Sequence, residues 1–118
     1  MFLKRDDILK RDDLKKELVS VSEWGGDVYV RCMTGPERES WENDSYSMKG
    51  KNIEINKENF RARLLVRVLV DEKGERLFSD QDISALGAKS AKVLDQLFSV
   101  AMRLNGLSKE DVDDLTKN

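Results

Sequence analysis

Histidine is absent from these 118 residues, cysteine and proline occur once each, and apolar runs stop at three residues, as in Leu64-Leu65-Val66. Each shortage excludes something. Without histidine there is no commonest neutral-pH general base, no commonest metal ligand and no Ser-His or Cys-His pair, which removes most hydrolase chemistry. A lone Cys32 cannot form an internal disulfide, which fits a reducing compartment. Runs of three fall far short of the ~20 apolar residues of a membrane span. The opening Phe2-Leu3-Lys4-Arg5-Asp6-Asp7 lacks the apolar stretch of a secretory signal, so the protein is expected to stay where it is made. One-signed charge is also missing. The 21 Lys and Arg are interleaved with 23 Asp and Glu, for a net charge of −2, so no field draws in a phosphate backbone or an anionic lipid surface. Neither nucleic acid nor membrane is an expected partner.

What is present is an ordinary apolar fraction, 39%, under a dense charge cover of 37% against a usual ~25%. A chain of this size buries roughly two thirds of its unfolded surface, so one real core is expected. No repeat, low-complexity linker or second apolar cluster marks a boundary, and residues 1–118 read as a single domain.

The elements follow from periodicity and punctuation. Leu3 to Leu14, with Asp6-Asp7 and Asp12-Asp13 around Ile8-Leu9, reads as short helical turns. Val19 and Val21, then Val28, Val30 and Cys32, alternate on either side of Glu23-Trp24-Gly25-Gly26-Asp27, the pattern of a β-hairpin. Thr34, Pro36 and Glu37 form a capping-box start, and the helix they open is predicted to carry Trp41, Ser45 and Met48 on one side until Lys49-Gly50-Lys51-Asn52 breaks it. A second helix is predicted from a cap at Asn56, with Ile55 and Phe60 as a staple, along Leu64, Leu65, Val68 and Leu69 to Val70. A β reading competes there, because Leu64 to Val70 is rich in β-branched residues and Asp71-Glu72-Lys73-Gly74 can turn it back onto Arg76-Leu77-Phe78. Ser79 with Asp82 opens a short helix closed by Gly87, and Ser108 with Asp111 opens a last one. Between them Ala91, Leu94, Leu97, Phe98, Ala101 and Leu104 form one helical stripe ended by Asn105-Gly106. The predicted class is α+β, a mostly helical small domain with an N-terminal β-hairpin.

Catalytic and metal patterns are weak. In Asp71, Glu72, Gly74, Asp80 and Asp82 a lysine sits at a calcium-ligand position and the glycine comes too early, so a turn followed by a helix cap is the better reading. Asp111, Asp113 and Asp114 spread over different helix faces. No carboxylate pair has the spacing or apolar setting of an acid-base couple, and neither a cofactor nor a metal is implied. Two binding readings remain. Trp41, Tyr46 and Met48 are of types enriched in interface cores and are the candidate partner-binding residues, with burial inside the monomer as the alternative. Arg61, Arg63 and Arg67 offer the other reading, a helix that presents cations to nucleic acid, against which Glu54, Glu58, Asp71 and the net charge argue.

Several segments, taken in order, resemble the tail assembly chaperones of long-tailed bacteriophages and prophages. They are Met1 to Leu9, Glu23 to Arg31, Thr34-Gly35-Pro36-Glu37-Arg38-Glu39, Asn59 to Leu64, Asp71 to Asp80 and Arg103 to Ser108. Asn43 to Tyr46 departs from the pattern, where a more apolar, more helical run is expected. The resemblance implies a non-enzymatic, mostly helical protein of the host cytoplasm, absent from the mature virion. It implies binding that keeps an apolar tape measure protein soluble, recruitment of tail tube protein, and self-association. Many such proteins are also made in a longer form by ribosomal slippage near the end of the gene, with which Thr116-Lys117-Asn118 is compatible.

Overall fold

In the computed structural model, which describes residues 1–107, a three-stranded antiparallel sheet is covered by helices and a separate two-stranded ribbon stands apart from it. The elements are α1 (Arg5–Lys10), β1 (Lys16–Val21), β2 (Gly26–Arg31), α2 (Gly35–Ser45), β3 (Tyr46–Lys49), β4 (Asn52–Ile55), α3 (Phe60–Val68), β5 (Leu69–Val70), α4 (Ile83–Gly87) and α5 (Ala91–Leu104). The class is α+β with the hairpin near the N-terminus, as expected. A 3₁₀ turn, Ser22–Trp24, and Gly25 at φ +72° connect β1 to β2, a left-handed step that favours glycine.

β2 is the central strand, pairing with β1 from Lys16↔Arg31 to Val21↔Gly26 and with β5 at Tyr29↔Val70 and Val30↔Leu69. Its period-two pattern places Val30, with Val19 and Val21 of β1, on the face that meets α3 and α5. Those helices answer with Leu64, Leu65, Val68, Val93, Leu97 and Ala101, all buried, and the Phe60 and Phe98 rings meet at 5.5 Å. The stripe on α5 departs from the predicted one only at its start, where Val93 is buried and Ala91 exposed.

Both readings of Leu64 to Val70 hold, one after the other. The helix runs to Val68; Leu69 and Val70 then extend, pair with β2, and turn at Asp71 to Gly74 so that Val70 bridges Arg76. Asp71 anchors that turn by accepting the Lys73 and Glu75 amides on Oδ1 at 2.8 and 3.0 Å, and the Glu75 bond holds its carboxyl below the usual range. The helix start moves, however. Asn56 accepts the Glu58 amide in a loop at 3.2 Å, and the residue before the first helical turn is Asn59, in a left-handed conformation at φ +52°. The Thr34–Glu37 and Ser79–Asp82 boxes form as read, each carboxylate accepting the amide of its cap residue, at 2.9 and 2.8 Å. The Ser108–Asp111 start lies outside the described residues.

The helix predicted to reach Met48 is corrected. α2 stops at Ser45, and Met48 lies on a strand. Asn43, Asp44 and Ser45 compete for backbone hydrogen bonds and favour an end to the helix, while Tyr46/Met48 and Ile53/Ile55 alternate on either side of a glycine turn.

One contact makes a test of packing between helices. Gly87, which ends α4, faces Asn59 so closely that an added methyl would collide with the asparagine side chain. Gly87→Ala is expected to lower stability by about 1–3 kcal/mol. Asn59→Gly, which also relieves the left-handed backbone, should restore most of that loss; chemical denaturation of the two single variants and the double variant checks it.

Candidate protein-binding surface

The ribbon of β3 and β4 begins where α2 ends. The Asn56 amide donates to Ser45 O at 2.7 Å, closing the ribbon at its root, and Gly50 at φ +63° makes a two-residue turn at its tip. Pairing brings Tyr46 opposite Ile55 and Met48 opposite Ile53, so these four share one face, while Ser47, Glu54, Lys49 and Asn52 take the other. Lys49 and Glu54 pair across the polar face at 3.3 Å.

The apolar face grades from root to tip. Tyr46 and Ile55 are half-buried, and the Tyr46 hydroxyl donates to Glu42 Oε2 at 2.6 Å. Burial, reinforced by that carboxylate, pushes the phenol up to about 12, so it remains a donor at any physiological pH. At the tip Met48 is 67% and Ile53 50% exposed, directly opposite one another. A two-stranded ribbon is marginal in water by itself, so an outward apolar pair on one has no reason within the monomer.

The three residues singled out from the sequence therefore part company. Trp41 is in the core at 1% exposure and presents nothing to a partner in this fold; Tyr46 stands at the root of the ribbon and Met48 at its tip. Ile53 and Ile55, which complete the face, were not among the expected residues. Their signal was the period-two spacing across Gly50-Lys51, masked by the helical spacing of Trp41, Ser45 and Met48.

The arginine reading is corrected as well. Arg67 is fully buried, its guanidinium donating to Arg63 O at 2.6 Å and Ser40 Oγ at 2.9 Å and pairing with Asp44, with Asp80 at 3.6 Å. Arg61 pairs with Asp95, and Arg63 donates to Glu58 O at 2.8 Å. Cations held this way form no common face for phosphates. Cys32 is half-buried just after β2, its thiol 3.0 Å from Leu104 O, where it helps tie the end of α5 to the sheet. Among the described residues no group of three or more potential ligands converges on a metal position, and no helix is long and apolar enough to cross a membrane.

A family model described as phage tail assembly chaperone matches residues 5–118. The chain belongs to that family. Among solved structures it is similar to the tail assembly chaperone of bacteriophage HK97, with a TM-score of 0.60 and 22% identity over 85% of this chain and 89% of that one; at this identity the likeness is one of fold. None of the curated proteins compared by sequence matches. The family assignment agrees with the resemblance read from the sequence, and the family's role, chaperoning of phage tail assembly, is non-catalytic.

Proposed function

We propose that this family member keeps the tape measure protein soluble by covering its apolar helical faces, and that the ribbon face of Tyr46, Met48, Ile53 and Ile55 is one of the surfaces it uses. The family match across nearly the whole chain carries the chaperone role. The outward Met48–Ile53 pair favours the ribbon, because it sets two exposed apolar side chains directly opposite one another on one face. A charge fraction of 37% suits this task, since it keeps the body in solution while apolar faces stay open. Recruitment of tail tube protein, self-association, and work in the host cytoplasm followed by absence from the finished virion belong to the same proposal. No bond is made or broken.

Co-expression with the tape measure protein tests this reading. The wild type is expected to move the tape measure protein from the pellet into the soluble fraction. Met48→Lys with Ile53→Glu, opposite charges at opposed positions, preserves cross-strand pairing while removing the apolar face, and should return most of it to the pellet at unchanged thermal stability. Solubility unchanged by this double variant rules out the ribbon; a tape measure protein that stays insoluble with the wild type rules out the function.

A further inference from the structure

A second unpartnered feature lies at the start of the chain. Met1 and Phe2 are almost fully exposed, at 109% and 98%, Leu3 is exposed behind them, and the six-residue α1 that follows buries none of its residues. A helix this short does not persist without packing, and apolar residues held in water at its start are expected to be covered.

At the other end of the hairpin is a groove of about 510 Å³ whose apolar lining is Trp24, Phe78, Ala85 and Leu86. Glu23, Asp82 and Lys89 also line it, two acids against one base. The segment from Met1 to Leu3 is apolar and leads directly into Lys4 and Arg5. Peg and groove thus match in chemistry: aromatic and aliphatic groups for the apolar lining, then cations for a lining with more acid than base.

The two stand apart in this fold, with Met1 and Phe2 in solvent. Residues 1–15 enter the hairpin where Lys16 pairs with Arg31, whereas Trp24 lies beyond the Val21↔Gly26 end, a six-residue strand or about 20 Å away. Every copy carries one peg and one groove in equal number. We propose that residues 1–4 of one copy seat in the Trp24–Phe78–Leu86 groove of a second copy. This rests on the self-association included in the proposed function and names the surfaces that meet.

The test uses the full chain and light scattering after size exclusion over a range of concentrations. Phe2→Asp removes the peg and leaves the groove; Ala85→Arg, at an exposed position of α4, fills the groove and leaves the peg. Each alone is expected to be monomeric, with association weakened roughly tenfold or more. Mixed in equal amounts they should form a one-to-one heterodimer, because each supplies the half the other lacks. If Ala85→Arg does not fold by circular dichroism, Glu23→Lys, which reverses a charge of the lining, takes its place. A wild type that associates while the variants associate equally well overturns this contact and leaves self-association standing. A wild type that is monomeric throughout overturns both. Monomeric variants whose mixture stays monomeric also overturn the contact, as does a change in Trp24 fluorescence on Phe2→Asp in a monomeric wild-type background, which would mean the peg closes its own groove.

Discussion

Trp41→Ala is expected to cost the fold about 3–5 kcal/mol, the range for truncating a large buried aromatic side chain. Trp41 is 1% exposed and belongs to the apolar cluster that α2, α3, α4, α5 and the sheet form. Among the described residues its indole N–H has no hydrogen-bond partner, so the ring is held there by packing and not by its polar atom. Trp41→Phe, which keeps most of the apolar body and gives up only that N–H, should therefore cost much less than the alanine variant. Urea denaturation of both checks the pair. The contrast with Met48 is the useful one: a Trp41 variant that loses partner binding does so by loosening the fold, whereas a ribbon variant should lose it with the midpoint unchanged.

Asp44→Ala is expected to be the second large loss, about 3 kcal/mol, although the aspartate itself is partly exposed. The reason is Arg67, a cation at 0% exposure that pairs with Asp44 and lies 3.6 Å from Asp80. Removing one partner leaves a buried charge poorly compensated, which costs more than the pair is worth as a pair. Arg67→Met in the same background removes the stranded charge and should recover much of the loss, a sign that a simple count of ion pairs would miss. Asp80 adds a pH dependence. The hydrogen bond from Arg76, aided by the charges of Arg67 and Arg76, holds its carboxyl below the usual range. A carboxyl depressed in the folded state contributes stability above its unfolded value and loses it as pH falls through the folded one. Stability should thus decline as pH drops below about 4, and the decline should be shallower in Asp80→Asn.

These two sites also show which parts of the fold were legible beforehand. The hairpin was, because Val19, Val21, Val28 and Val30 alternate around two glycines. So were the two capping boxes and α5, whose signals are local and agree with one another. Arg67 was not. An arginine two turns from Arg61 on an amphipathic helix looks like surface, and only the approach of α2, which brings Ser40 and Asp44 over it, turns the position inward. Leu69 and Val70 left the helix for a comparable reason: β2 offers them a ladder that the helix end cannot match, and the choice is made by a strand forty residues earlier. The ribbon failed differently, since its segment carried two periods at once. Trp41, Ser45 and Met48 fit a helix and Tyr46, Met48, Ile53 and Ile55 fit two strands, with Met48 common to both. Binding surfaces are hard to read in this way because they are apolar residues left out of the core, and a sequence marks residues as apolar without marking which are left out.

The most direct test of the account is the mass of the complex between this protein and the tape measure protein, measured by light scattering as the two elute together from a sizing column. The account predicts a soluble complex with many copies of the wild-type chain on each tape measure molecule, and few or none of the folded Met48→Lys, Ile53→Glu variant. Wild-type protein that elutes alone, with the tape measure protein aggregated or absent from the column, would contradict it.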